Sequence, residues 1–366
     1  MLRIGFVLLT FRVDAPAGIE RSVAALAEGL QLRGHACWFI AAGPKYHGDD
    51  KSVIRLRSVE LPVPATPSFI LKRINAVKAL AELESIAALL QLDIICFVDA
   101  IWGLGFVGKM QRRQRLVLMI HFLDENNLEH VEAALNQNPD AVVVPSDVVL
   151  EVANRFSLNT SSWAVIPNAL LSGGAVAPSQ SNRETLREKS PIHIIGRADP
   201  IKGIAALLEC MPADPPRPVE CVLSKAPFEY KSGDQQTAEI KIRTSQASTL
   251  LHFHDPLEWR GVQPFLAEAS LCIIPSLHET FGLVALESMS VGTPVVSFAV
   301  GNLPNLIQGA GSCVPFCRGP LGLWQAAREI LNDRSAYLAA STSGIKRAAE
   351  FNCGHIADMF VSAVMQ

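Results

Sequence analysis

The chain has 366 residues, of which 49% are hydrophobic and 18% charged; that is apolar material for about two domains of ordinary size and excludes an intrinsically disordered chain. Its 32 basic and 35 acidic side chains leave a net charge of −3, which provides no basic footprint for a nucleic-acid partner. Eight cysteines are scattered without a Cys-x-x-Cys pair and read as reduced core thiols of a cytoplasmic protein; the nearest two, Cys313 and Cys317, lack neighbouring histidines for a zinc site.

From the N-terminus, Arg3 and the apolar run from Ile4 to Phe11 have the composition of a short signal peptide, but Gly5 interrupts them and no small-residue cleavage site follows, so a buried first strand is expected. No apolar run approaches the ~20 residues of a membrane-spanning helix. A strand over 3–9, a helix over 19–33 closed by Gly34 and a strand over 36–42 make a βαβ phrase. The rhythm returns in strands over 93–98, 116–121, 141–144 and 163–166, with helices over 128–135 and 148–156. These strands are apolar on both faces, as buried parallel strands are. The text then turns rich in Ser, Gly and Pro without an apolar period, and a linker is expected over 171–190. Strands resume over 192–195, 220–223, 250–253, 271–275, 294–298 and 312–314, with helices over 204–210, 262–269 and 281–291 and a helical stretch over 335–366. The expected fold is α/β: two Rossmann-like, doubly wound domains over 1–170 and 191–352 facing a central cleft, with a helix over about 353–366 packing back on the first.

The segment Pro275-Ser-Leu-His-Glu-Thr-Phe-Gly-Leu-Val-Ala-Leu-Glu287 runs from a strand end into a helix. Glu279, in the loop, suits a ligand's hydroxyls, while Gly282 opens the amides around Phe281 and Leu283, where the helix dipole favours a phosphate. Glu287, eight residues on, suits a ribose diol. Solvent-facing carboxylates are the plain alternative; the Gly292-Thr-Pro294 turn, the strand after it and Gly301 favour a ligand-binding unit. A second constellation, Ile195-Gly-Arg-Ala-Asp-Pro-Ile-Lys-Gly203, places Gly196, Arg197 and Lys202 after a strand. A forked and a point-like cation suit a departing diphosphate, against the ordinary reading of two surface cations.

In the first domain, Gly18 opens the first helix, where a phosphate or an acceptor can approach closely. His121 is expected at the end of its strand, on the lip of the cleft, although a lone histidine is more often structural. Gly103, Gly105 and Gly108 match G-x-G-x-x-G with Asp124 downstream, the mark of an NAD-linked oxidoreductase. The short helix expected over 106–113, its place away from the first βα turn and the lack of a hydride-transfer site speak against it. Lys109, Arg112, Arg113 and Arg115, like Lys72, Arg73 and Lys78, read as solvated helix faces, with peripheral contact to an anionic membrane the alternative.

Together these residues resemble the retaining glycosyltransferases of family four, which have the GT-B fold, and the resemblance covers nearly the whole chain. Glu279 and Glu287 match the family's Glu-x7-Glu signature, and GRADPIKG is similar to its diphosphate loop. VIPNAL at 165–170 is similar to the segment leading into the interdomain linker, LVLMIHF carries His121 where the family has a histidine beside the donor sugar, and FNCGHIADMFVSAV is similar to the terminal returning helix. The chain departs from the pattern at Ala17-Gly18, where Gly-Gly is usual, at Ala169 after Asn168, and at VLSKAP over 222–227, which lacks a glycine-rich loop. The resemblance implies a nucleoside diphosphate sugar donor, a hydroxyl acceptor, and neither a metal nor another cofactor. It also implies the roles: Arg197 and Lys202 on the diphosphate with amides near Phe281, Gly282 and Leu283, Glu279 on sugar hydroxyls, Glu287 on the ribose, and His121 on a sugar hydroxyl or the positive charge at the anomeric carbon. A nucleotide-sugar-binding protein without turnover is the alternative from another class.

Overall fold

Runs of Val, Ile, Leu and Cys that are apolar on both faces can bury both only between layers of helices, and they form parallel sheets here. The computed structural model describes residues 1–15, 17–61, 72–99, 103–107, 110, 113–224, 233–244 and 250–366. Contacts divide the chain into two units, residues 1–171 with 352–366 and residues 172–351.

The first unit runs β1 (Arg3–Leu8), α1 (Gly18–Leu32), β2 (Ala36–Ala41), β3 (Val53–Arg55), α2 (Ala76–Leu89), β4 (Ile94–Val98), α3 (Leu104–Val107), β5 (Arg115–Met119), α4 (Leu128–Leu135), β6 (Ala141–Val144), α5 (Asp147–Arg155) and β7 (Trp163–Val165). Its strand order is β3-β2-β1-β4-β5-β6-β7. The order reverses between β1 and β4, so the loops after these two strands meet at a switch point, where open α/β sheets bind ligands.

The second unit runs α6 (Gln180–Lys189), β8 (Ile192–Arg197), a 3-10 turn (Pro200–Lys202), α7 (Ile204–Glu209), β9 (Val219–Ser224), α8 (Gly233–Thr244), β10 (Leu251–His254), α9 (Trp259–Ala267), β11 (Leu271–Ile274), α10 (Leu283–Ser290), β12 (Val295–Phe298), α11 (Leu303–Ile307), β13 (Gly311–Val314), α12 (Gly319–Asn332) and α13 (Arg334–Ala348). The order β10-β9-β8-β11-β12-β13 puts its switch point between β8 and β11. Ile194, Leu207, Leu271, Ile273, Val296 and Leu323 are buried in one core around this sheet.

A 3-10 turn (Ala349–Phe351) breaks the helical stretch expected over 335–366, and Asn352 caps the last helix, α14 (Cys353–Met365), its side chain accepting from the His355 amide at 2.9 Å. α14 belongs to the first unit and lies so close on α1 that a Cβ at Gly29 would meet the Cys353 carbonyl oxygen at 2.0 Å. A parallel bridge pairs Leu170 with Asn352.

The stretch expected as a linker over 171–190 is corrected by α6, whose buried residue is a cation rather than an apolar side chain, so no hydrophobic period announces it. Arg183 is 1% exposed. It donates to the carbonyls of Ala269 at 2.7 Å, Ala267 at 2.9 Å and Val291 at 2.9 Å, where α9 and α10 end and leave acceptors unsatisfied. No helix among the described residues is long and apolar enough to cross a membrane.

Candidate functional site

β8 and β11 are parallel neighbours, with Leu271 opposite Ile192 and Cys272 opposite His193, so the loops that leave their C-terminal ends rise side by side. Two main-chain contacts stitch them together. The Leu277 amide donates to the Ile201 carbonyl at 2.8 Å. Gly203, at φ +65°, approaches Pro275 so closely that a Cβ would stand 2.1 Å from its carbonyl oxygen, which reserves the position for glycine.

The side chains above this seam form two ion pairs. Lys202 Nζ donates to Glu279 Oε2 at 2.8 Å, the two side chains being 23% and 17% exposed. Arg197 Nη2 lies 3.3 Å from Asp199 Oδ2, and Asp199 Oδ1 accepts from the Ile201 amide at 3.0 Å, capping the 3-10 turn that carries Lys202. Arg197, Lys202 and Glu279, separate in sequence, thus stand at one strand-end seam. The sequence reading missed Asp199, although an Asp-Pro pair after a strand is itself a turn-starting signal. It also missed Asn302, 8% exposed, whose amide donates to the Glu279 carbonyl at 3.1 Å and whose Nδ2 donates to the Phe281 carbonyl at 3.1 Å. Beside it Gly301, at φ +51°, passes so near Glu279 that a Cβ would lie 1.8 Å from that residue's carbonyl oxygen.

α10 begins at Gly282, at φ +104°, and no side chain among the described residues caps it. Its first-turn amides, beginning at Leu283, therefore suit an anion. Phe281 contributes main chain to this loop; its ring is 3% exposed and meets Phe351 edge-on at 5.9 Å. Gly196 lies within β8, where a Cβ would reach Ile204 Cδ1 at 3.0 Å, so its small size serves strand-helix packing. Glu287, further along α10, is 6% exposed. Burial, with a smaller push from the Glu287 charge, raises the neighbouring Cys272 thiol to about 12.

In the first unit, Gly18 is the first residue of α1, after extended Ala17. β5 stops at Met119, so His121 stands two residues beyond the strand instead of ending it. It is 7% exposed and lines a pocket with Ser22 and Asn168. Its backbone amide donates to Asp99 Oδ1 at 3.2 Å, whereas Nε2 makes no hydrogen bond among the described residues. Burial lowers the imidazole pKa to about 4, so the ring is neutral at pH 7. The sequence reading also missed Asp99, which directly follows β4 at φ +59°. Burial, reinforced by the carboxylate of Glu20 and opposed by the His121 amide, raises Asp99 to about 7. Glu20 accepts from Thr10 Oγ1 at 3.0 Å, so loops after β1, β4 and β5 share this polar corner.

The His121 shift has a definite sign. An imidazole protonated in the unfolded chain below about 6.5 but held neutral in the fold down to about 4 contributes stability that is present above pH 6.5 and lost as the pH falls. His121→Asn, which carries no titratable group, is expected to lose about 2 kcal/mol less than the parent between pH 7 and pH 5 in urea titrations. Parallel losses in the two proteins would contradict the assignment.

The surroundings of Gly103 and Gly105 do not favour the G-x-G-x-x-G reading. Of the helix expected over 106–113, residues 106 and 107 lie in α3, and a Cβ at Gly105 would press to 2.6 Å from the Ala134 amide nitrogen, so this glycine serves the packing of α3 on α4. A Cβ at Gly103 would stand 3.1 Å from the Phe97 ring. Asp124 is occupied by an Asx turn, accepting from the amides of Asn126 at 2.9 Å and Asn127 at 3.1 Å. Gly108, Lys109, Arg112 and residues 225–227 of the VLSKAP segment lie outside the described residues. Among the described residues no group of three His, Cys, Asp or Glu could hold a metal ion.

Residues 16–170 match the family described as Glycosyltransferase Family 4, and residues 190–333 match that described as Glycosyl transferases group 1. A D-inositol 3-phosphate glycosyltransferase of Corynebacterium diphtheriae is 27% identical over 249 residues, covering 63% of this chain and 57% of that protein. An MMP alpha-(1->4)-mannosyltransferase of Mycolicibacterium hassiacum is 28% identical over 188 residues, covering 51% of this chain and 43% of that protein. The chain thus spans about half the length of these curated relatives. Among solved structures, a sucrose-phosphate synthase from Thermosynechococcus elongatus superposes over 100% of this chain and 99% of its own, with a TM-score of 0.81 at 21% identity. Anabaena Alr3699/HepE in complex with UDP and glucose superposes over 100% of both chains, with a TM-score of 0.73 at 16% identity.

Proposed function

Because the chain belongs to the glycosyltransferases of family 4 and has the GT-B fold, we propose that it transfers a sugar from a nucleoside diphosphate donor to a hydroxyl acceptor with retention of the anomeric configuration. The contact that carries this reading is the one between Lys202 and Glu279, which joins the cationic loop after β8 to the carboxylate loop after β11. A ligand bearing both a diphosphate and a polyol has a use for both partners: phosphate oxygens draw Lys202 and Arg197, and Glu279, relieved of its ammonium, accepts from sugar hydroxyls.

In this mechanism the acceptor oxygen bonds to the anomeric carbon as the bond from that carbon to the phosphate oxygen breaks. The acceptor's proton passes to the departing phosphate oxygen on the same face of the sugar, and no enzyme nucleophile is assigned. The charge that develops on the phosphate is met by Arg197, Lys202 and the first amides of α10, each such donor contributing about 3 kcal/mol. Glu287 holds the ribose diol. His121, neutral at pH 7 because of its burial, serves as a hydrogen-bonding partner for a sugar hydroxyl rather than as a charge. Side chains take the neutralising role here, so transfer is expected to persist in EDTA.

A thermal-shift panel of UDP, GDP, ADP and dTDP tests the donor. A nucleotide at a hundred times its dissociation constant stabilises the folded protein by about 2.7 kcal/mol, and UDP, the nucleotide bound to Anabaena Alr3699/HepE, is the expected responder. The absence of any shift across the panel at millimolar concentration would overturn the reading.

A further inference from the structure

An anion site that carries a carboxylate against its own guanidinium asks what that carboxylate does. Asp199 lies between the two cations, with Oδ2 3.3 Å from Arg197 Nη2 and Oδ1 holding the Ile201 amide at 3.0 Å, one residue before Lys202. Its side chain is 25% exposed, against 33% for Arg197, so neither charge is fully screened by water. We propose that Asp199 is a positioning residue that sets how long a nucleoside diphosphate stays bound: its cap fixes the turn that presents Lys202, and its charge opposes the anion that Arg197 attracts. The inference rests on the reading of this site as one for nucleoside diphosphates.

The two halves of the proposal have opposite signs, which makes them separable. The cap favours binding, because a turn held in advance leaves less ordering to be done when the ligand arrives. The charge disfavours binding, because a carboxylate on the guanidinium competes with phosphate oxygens for the same N–H donors. It also discriminates between ligands. Once the sugar has gone, the terminal phosphate can ionise further, so the product carries about one more negative charge than the donor. Asp199 therefore repels product more than donor, and favours release after transfer. A residue that only supported the fold would weaken every ligand when replaced and could tighten none.

Asp199→Asn keeps an oxygen for the Ile201 amide and removes the charge; Asp199→Ala removes both. In calorimetric titration with UDP at low salt, Asp199→Asn is expected to bind about fivefold tighter than the parent, with the gain shrinking in 0.5 M NaCl. Asp199→Ala is expected to bind about fivefold more weakly than Asp199→Asn, the difference reporting the lost cap. In steady state the Asp199→Asn protein shows stronger inhibition by UDP while the donor KM falls less. If the parent binds UDP and Asp199→Asn binds it equally or more weakly, this inference alone is overturned. Equal affinities for the Asn and Ala variants overturn the capping half. Failure of the parent to bind any nucleoside diphosphate overturns the functional reading and this inference with it.

Discussion

Arg197→Ala is expected to lower kcat/KM for the donor by about 10²- to 10³-fold, a loss of about 3–4 kcal/mol of transition-state stabilisation. The guanidinium sits at the strand end of β8 beside Asp199, where a fork of N–H donors can follow charge as it moves onto a phosphate. Arg197→Lys should recover only part of the activity, because a point charge lacks the fork. Lys202→Ala should cost a similar factor and leaves Glu279 without the ammonium that holds it at 2.8 Å. The double variant is expected to lose less than the product of the two single losses, since the cations act on one group. Steady-state rates with donor in excess decide the matter, and parental activity in Arg197→Ala would refute the mechanism.

The largest effect on stability is expected away from the site, at Arg183. Replacing it with methionine keeps volume but strands three carbonyl acceptors, those of Ala267, Ala269 and Val291, at the ends of α9 and α10. Each buried acceptor left unsatisfied costs about 1–3 kcal/mol, and with partial relaxation a total near 4 kcal/mol is expected. Urea unfolding followed by circular dichroism would show it as a lowered midpoint, and a change below 1 kcal/mol would mean that water replaces the guanidinium. The pH dependence of this loss should be slight, because a guanidinium stays protonated throughout the accessible range.

Strands and the helices between them were legible because burial on both faces writes itself as uninterrupted Val, Ile and Leu. α6 was not legible: its one buried side chain is Arg183, and a helix that buries a cation carries no apolar period. The cationic loop and Glu279 could be read as separate motifs; their convergence could not, since it depends on β8 and β11 pairing across seventy-odd residues of chain. Asn302 and Asp99 escaped for the same reason, each being an ordinary polar residue until a partner from another segment gives it a task, whereas Asp199 works within its own loop, on Arg197 and the Ile201 amide. The glycines misled in the opposite direction. Gly103 and Gly105 spell a nucleotide fingerprint and in fact make room for Phe97 and α4.

The pairing of Leu170 with Asn352, and the seating of α14 on α1 through Gly29, give the polypeptide a fixed order of completion during synthesis. The second unit has all its residues once position 351 has left the ribosome, whereas the first, begun earlier, still lacks the helix over Cys353–Met365 that covers α1. Until that helix arrives, the face of α1 around Gly29 lacks the helix that packs on it, so the nascent N-terminal half must wait, exposed to chaperones and to misassociation, for a segment made after the whole second unit.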